Sequence, residues 1–356
     1  MKRTILYAYF ALMLAVGLPF LANLGENDET AAGVEREAAN PTPSAAVDEA
    51  PPLSPIPPAE TTAVLSAAPR TDGPAPAAIA APAELRVLLP DGSVQAMDMQ
   101  DYLRGVVSAE MPPGFHAEAL KAQAVAARTY ALYCASFSKH GEAQVCTDYG
   151  CCQAWQSQEA LRTKWGEDYD ANYEKISSAV DGTYGEYLAA GGQPILAAFH
   201  SSSASVTENS ADVWSAVPYL VSVSSPETAD DVPQYVSTLH CSPIDFRDTV
   251  LSAHPEADFS GAEDQWIGEL RRDEAGRTAS VMLGGVEVSG KELRSLFSLR
   301  STAFTLTYDP PAFTFTVTGF GHGVGMSQYG ADKMARLGAD YKEILAHYYP
   351  GTTLVK

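Results

Sequence analysis

Basic residues are scarce in this chain: 23 Lys and Arg stand against 44 Asp and Glu, a net charge of −21 over 356 residues with a pI near 4.6. That shortage excludes nucleic acid as a partner, because gripping a phosphate backbone takes clustered Lys and Arg. The acidity alone names no substrate and reads as a solvated surface. Between Thr4 and Leu24 charge is missing altogether and most residues are apolar. As a helix rising about 1.5 Å per residue, this run reaches roughly 30 Å, the thickness of a bilayer core. Residues 1–24 are therefore expected to form a membrane anchor. Lys2 and Arg3 ahead of it place the N-terminus in the cytoplasm and everything after it outside. A cleaved signal peptide needs a small-x-small site, and only the weak Phe20-Leu21-Ala22-Asn23 neighbourhood offers one.

From Gly25 to about Pro82 aromatic and large aliphatic residues are nearly absent, and Ala, Pro, Glu, Ser and Thr dominate. Such a stretch has too little apolar surface to offset the entropy of ordering. Residues 25–82 are expected to be a disordered linker, semi-extended by its prolines, holding residues 83–356 away from the membrane.

Beyond residue 82 the sequence is patterned. Glu84 to Leu89 and Ser93 to Met97 flank Pro90-Asp91-Gly92 and read as a hairpin. A helix from about Asp101 is expected to stop near Glu110, because Met111 precedes Pro112 and is pushed out of the helical region. The alanine-rich run from about His116 to Tyr133 reads as a second helix, buried on one side, with Lys121 and Arg128 on the other. Tyr184 to Leu188 and Ile195 to His200 read as strands around Gly191-Gly192, and Thr302 to Tyr308 with Ala312 to Thr318 as a hairpin. Cys241 to Leu283 is polar and irregular, with helical stretches expected at Phe246 to Ala253 and Gln265 to Leu270; residues 241–300 read as an insertion or smaller subdomain. Two closing helices are expected at Met326 to Leu337 and Tyr341 to Tyr348. The mixture indicates an α+β fold, helices and antiparallel hairpins forming a cleft.

Glu110 is the leading candidate catalyst. The negative end of a helix dipole disfavours its ionised form, and a carboxyl still protonated near neutral pH suits a general acid acting on a glycosidic oxygen. The alternative is a solvated glutamate at a helix end. Gly319 to Gly325 lacks the Lys-Ser/Thr ending of a phosphate-binding loop. Its alternating Gly321, Gly323 and Gly325 instead permit close backbone approach, bringing His322, Gln328 and Tyr329 against the glutamate or a sugar. His200, Ser201, Ser202 and Glu208 lie in a polar loop leaving a strand, suited to sugar hydroxyls; serines in a run are also common turn residues.

Cysteine is also sparse, and five residues leave one unpaired in any disulfide framework. His140, Cys146, Cys151 and Cys152 cluster in a loop-like stretch and are zinc-compatible. The alternatives are disulfides, Cys146 with Cys152 or Cys134 with Cys241. A His-Glu-x-x-His helix is absent, which argues against a zinc amidase or peptidase.

Three motifs, Leu103 to Pro112, Glu118 to Tyr130 and Gly319 to Ala331, in this order resemble the stage II sporulation protein D family. Val213-Trp214, Leu299-Arg300-Ser301-Thr302 and Tyr348-Tyr349-Pro350-Gly351 extend the resemblance over about Glu84 to Lys356. Ala204-Ser205 depart from it where relatives carry glycines. The resemblance implies a lytic transglycosylase acting on denuded peptidoglycan strands, with Glu110 as acid and base. It implies no cofactor for the chemistry itself, and Lys121 and Arg128 would meet the lactyl carboxylate of muramic acid, the alternative for both being a solvated or salt-bridged role. Some members carry a His-x5-Cys-x5-Cys zinc site that His140, Cys146 and Cys152 match, Cys151 standing where relatives tend to have histidine; the ion would be structural or regulatory. The implied setting is the mother cell's engulfing membrane, and the implied partners are the amidase-endopeptidase sporulation protein P and membrane protein M. The rival reading is a non-catalytic peptidoglycan-binding or amidase-enhancing module.

Overall fold

The computed structural model describes residues 83–137 and 139–356. The expected anchor, 1–24, and the linker, 25–82, lie outside the described residues. Among the described residues no helix is long and apolar enough to cross a membrane.

The fold is mixed α+β. Strands β1 (Glu84–Leu88) and β2 (Val94–Asp98) form the expected antiparallel hairpin, and β3 (Val145–Cys146) lies parallel to β1. Helix α1 (Met99–Glu110) starts two residues earlier than the sequence suggests, because the Asp98 carboxylate accepts from the backbone N–H groups of Gln100 and Asp101. It ends at Glu110: Met111, ahead of Pro112, is extended at φ −123° and ψ 141°.

Helix α2 (Ala117–Ala135) runs through the main core. Its alanines at 119, 122, 124, 126, 127 and 131 are nearly solvent-free, which lets α1, the later helices and a sheet approach its axis closely. The expectation of one buried face is corrected here, since Arg128 is wholly buried too. An alanine-rich helix has little amphipathic contrast, so its pattern does not fix which side faces out.

Helix α4 (Tyr169–Gly182) packs beside α1 and α2, and α3 (Gln158–Trp165) packs on α4. Strand β4 (Tyr187–Ala190) pairs antiparallel with β5 (Gln193–Pro194). The run Ile195 to His200 is not one strand as expected: it leaves the hairpin at Pro194, and only β6 (Phe199–His200) is extended. A short helix, α5 (Ser210–Val213), and strand β7 (Val236–Cys241) come next.

A second apolar cluster is built on Phe246, which stacks on Phe313 at 4.1 Å between ring centroids. It covers α6 (Pro243–Ala253), β8 (Ile267–Arg272), β9 (Thr278–Leu283), β10 (Val286–Ser289), α7 (Gly290–Leu296), β11 (Phe304–Asp309) and β12 (Ala312–Thr318). These residues reach past 300, because β12 pairs on one side with β11 and on the other with β7. The helix expected at Gln265 to Leu270 is strand instead. Gly268 sits against Met282 of β9, and sheet pairing overrides the weak local preference of a polar stretch.

The chain returns to the main core through β13 (Met326–Ser327), parallel to β6, then α8 (Gln328–Arg336), α9 (Tyr341–Tyr348) and β14 (Thr353–Val355) against β4. That return carries the end of the glycine-rich stretch to the end of α1.

Candidate active site

Glu110 occupies the last position of α1 and is partly exposed. Its Oε1 accepts from the backbone N–H of Ala154 at 2.8 Å, and its Oε2 from Nε2 of Gln328 at 3.5 Å. Burial raises its pKa from 4.5 to about 7, against the opposing pull of these two donors. No second carboxylate acts on it among the described residues. A lone carboxyl held near pH 7 can give a proton and take one back at similar pH.

Gln328 is buried and heads α8, whose first turn is capped by the Ser327 hydroxyl. The strap 319–327 leads to it with positive φ at each of its four glycines. A Cβ at Gly321 would lie 2.8 Å from the Cβ of His200, one at Gly323 would strike the Arg277 guanidinium, and one at Gly325 would strike the carbonyl oxygen of Ala198. That oxygen already accepts from Met326 N–H and Tyr349 O–H. Gly325→Ala, with φ 72° and no room, is expected to lower stability by about 3 kcal/mol or more in urea unfolding. A change below about 1 kcal/mol would show that the strap has slack.

His322 lies between the rings of His200 (5.7 Å) and Trp214 (5.1 Å). Burial, then the charges of Arg294 and Arg277, hold its pKa down to about 3. It is thus a neutral imidazole whose Nδ1 accepts from Val324 N–H at 3.0 Å, leaving the proton on Nε2. Tyr329 packs edge-on against Phe115 and donates its backbone N–H to Ser201 O.

The polar loop proves to be largely internal. His200 is buried, faces Val324 O through Nδ1 and accepts from the Ser203 hydroxyl through Nε2 at 2.6 Å. Ser203 is solvent-free, so this pair braces the loop and offers no accessible nucleophile. Ser201 serves through its carbonyl, and Ser202 bridges Phe320 through backbone hydrogen bonds. Glu208 is buried in an ion pair with Arg277 at 3.2 Å. Its carboxyl is raised by burial and by Asp273 despite that partner. None of these side chains touches Glu110.

Neither Lys121 nor Arg128 is brought to Glu110: Arg128 is wholly buried, which corrects its expected meeting with a substrate carboxylate, and Lys121 takes the salt-bridged alternative. Arg128 donates to Glu186 O (3.0 Å) and Gln100 Oε1 (3.1 Å) inside the core. Burial lowers its pKa to about 10. Lys121 is paired with Glu118 at 2.6 Å. Sequence reasoning also missed Glu227. Buried, it accepts from Ser203 N–H, Ser225 and Ser327, and so ties the serine loop to the cap of α8. The Ala154 N–H was missed as well; a backbone donor carries no residue signature.

His140, Cys146, Cys151 and Cys152 bring one donor atom each within 4.8 Å of one another. A tetrahedral zinc with bonds of about 2.3 Å to sulfur spaces its sulfurs about 3.8 Å apart, so the group fits. All five cysteines are free thiols. The expected Cys134–Cys241 alternative does not form: Cys134 hydrogen-bonds Cys152 and packs on the main core, whereas Cys241 packs on the second cluster. Cys152 stands two residues before Ala154, so whatever fixes this loop also fixes a donor to Glu110.

The family model described as stage II sporulation protein (SpoIID) matches residues 91–189. Stage II sporulation protein D of Bacillus amyloliquefaciens is 37% identical over 267 residues, covering 74% of this chain and 75% of that protein. Its counterpart from Bacillus subtilis (strain 168) is 36% identical, covering 74% and 76%. The amidase enhancer of Bacillus subtilis (strain 168) is 32% identical over 303 residues, covering 71% of this chain and 40% of its own length.

Proposed function

Because the chain belongs to the stage II sporulation protein D family, we propose that it is a lytic transglycosylase acting on denuded peptidoglycan strands during sporulation. The observation that carries this reading is the single carboxyl at Glu110, lifted to about 7 by burial and supplied with two hydrogen-bond donors. Ordinary glycosidases divide the work between two carboxyls. Here the protonated Glu110 gives its proton to the oxygen bridging N-acetylmuramic acid and N-acetylglucosamine as the bond to C1 breaks. The carboxylate, steadied by Ala154 N–H and Gln328, then removes the proton from the muramyl C6 hydroxyl, which closes on C1. The product carries a 1,6-anhydro end, no water is consumed, and Glu110 is again protonated.

His140, Cys146, Cys151 and Cys152 would hold a zinc ion as a structural clamp on the loop ahead of Ala154. In this reading residues 1–24 anchor the protein in the engulfing membrane, residues 25–82 are the tether and residues 83–356 form an extracytoplasmic catalytic domain. Sporulation protein P would strip the stem peptides first, and membrane protein M would share the membrane.

The proton-donor role sets the pH dependence. Since Glu110 must enter protonated, kcat is expected to fall about tenfold per pH unit above about 7 and to level off below it. Single-turnover rates on denuded glycan from pH 5 to 9 test this; a falling limb near pH 4.5 would mean an ordinary exposed carboxyl. The relative named amidase enhancer favours one rival, a wall-binding module without chemistry. That rival requires Glu110→Ala to leave function intact.

A further inference from the structure

Burying a carboxylate is costly unless hydrogen-bond donors surround it. Glu227 lies in a loop, is 2% exposed and has three such donors. Its Oε1 accepts from the Ser203 N–H at 2.7 Å and from the Ser327 hydroxyl, and its Oε2 accepts from the Ser225 hydroxyl. With its own proton given to Glu227, the Ser225 oxygen accepts in turn from the Tyr348 hydroxyl at 2.8 Å. The same logic orients Ser327, because a hydroxyl has one proton to give. Since Glu227 takes it, the Ser327 lone pairs are left for the Gly330 N–H at 3.1 Å, which is the cap that starts α8. Gly330 shows how closely the carboxylate is set against this first turn. Glycine is unfavourable inside a helix relative to alanine, yet a Cβ here would strike the Tyr348 and Ser225 hydroxyls and lie 2.7 Å from Glu227 Oε2.

Gln328 follows Ser327 directly, and its Nε2 stands 3.5 Å from Glu110 Oε2, the far limit of a hydrogen bond. Withdrawing the start of α8 by about 0.5 Å would break it. We propose that Glu227 is a positioning residue for the reaction: through the Ser327 hydroxyl it fixes where α8 starts and so holds the Gln328 amide on the Glu110 carboxylate. That amide stabilises the carboxylate which forms as Glu110 gives up its proton, so a displaced Gln328 leaves a weaker acid. The effect on rate rests on the transglycosylase reading; the effect on the Glu110 carboxyl does not.

Two variants cut the link at different atoms. Glu227→Gln removes the carboxylate, and Ser327→Gly removes the hydroxyl while leaving glycine, itself a tolerated N-cap. Each is made in the full-length parent and in Gln328→Ala, and each is read in two ways. One is single-turnover release of anhydro-ended sugar from denuded glycan at pH 6. The other is carbon-13 titration of the Glu110 carboxyl, assigned by its loss in Glu110→Gln. In the parent, both variants should slow release about tenfold and move the Glu110 titration upward, because a donor to its carboxylate is lost. Deleting the Glu227 charge alone would move that titration downward, so the sign separates positioning from electrostatics. In the Gln328→Ala protein neither variant should slow release more than about twofold further. An equal loss in both backgrounds, or a Glu110 titration that stays or falls, overturns the proposal. If Glu227→Gln does not fold, Ser327→Gly decides alone. If the parent releases no anhydro product, the reaction reading fails and the titration still decides the positioning.

Discussion

Glu110→Gln is expected to reduce release of anhydro-ended sugars by about a thousandfold, within the range for loss of a positioned acid and base, while the variant becomes more stable than the parent above pH 7. The two effects share a cause. Burial raises the folded-state pKa of Glu110 from 4.5 to about 7, so the folded protein keeps a proton that the unfolded chain gives up. Stability from this group is full below about pH 4.5 and lost as pH rises through about 7. A neutral amide escapes that loss and still meets the Ala154 N–H through its carbonyl oxygen. The gain at pH 8 is expected to be about 2 kcal/mol and to vanish near pH 4, as read from denaturant unfolding at both values. An equally active variant would remove Glu110 from the chemistry. An active-site loss with no gain at pH 8 would mean that Glu110 is solvated.

Cys152→Ser is expected to have the next largest effect. The protein purified without chelator should hold one zinc per chain. The variant should lose it, and its melting temperature should fall on the order of 10 °C, corresponding to several kcal/mol for a domain of this size. The loop would then release the Ala154 N–H from Glu110. Removing a donor to the carboxylate raises its pKa, so the falling limb of kcat should move above pH 7 as kcat drops. Cys241→Ser, in the second apolar cluster, should change neither metal content nor rate. Metal analysis with thiol counting and a pH–rate profile reads all of this. Absence of zinc together with a Cys146–Cys152 disulfide would contradict the clamp.

The sequence makes the ends of the site's elements legible. Met111-Pro112 stops α1 at Glu110, Gly338 follows α8, and Pro90-Asp91-Gly92 turns the first hairpin, because proline and glycine act locally. The alternating glycines are also legible as close approach, and the structure gives each one the neighbour that forbids a side chain. Orientation within a low-contrast helix is not legible. Arg128 reads as a surface cation, yet its guanidinium is buried and donates to a carbonyl 58 residues away and to Gln100. The strand at Ile267–Arg272 is hidden because its pairing with β9, not its own residues, decides it. Burial also escaped. The sequence offered a helix-end argument for a raised Glu110, whereas the structure makes desolvation its main cause. Long-range polar partners such as Glu227, which accepts from Ser327 across 100 residues, leave no local trace.

The most direct measurement is the mass of the sugars released when the full-length protein digests denuded glycan strands in parallel with peptide-bearing sacculi. Intramolecular closure by a single carboxyl predicts muramyl ends lighter by one water than a hydrolase would leave, from the denuded strands in preference to the sacculi, and none with Glu110→Gln. Hydrated reducing ends, released peptides, or product undiminished in the Glu110→Gln digest would contradict it.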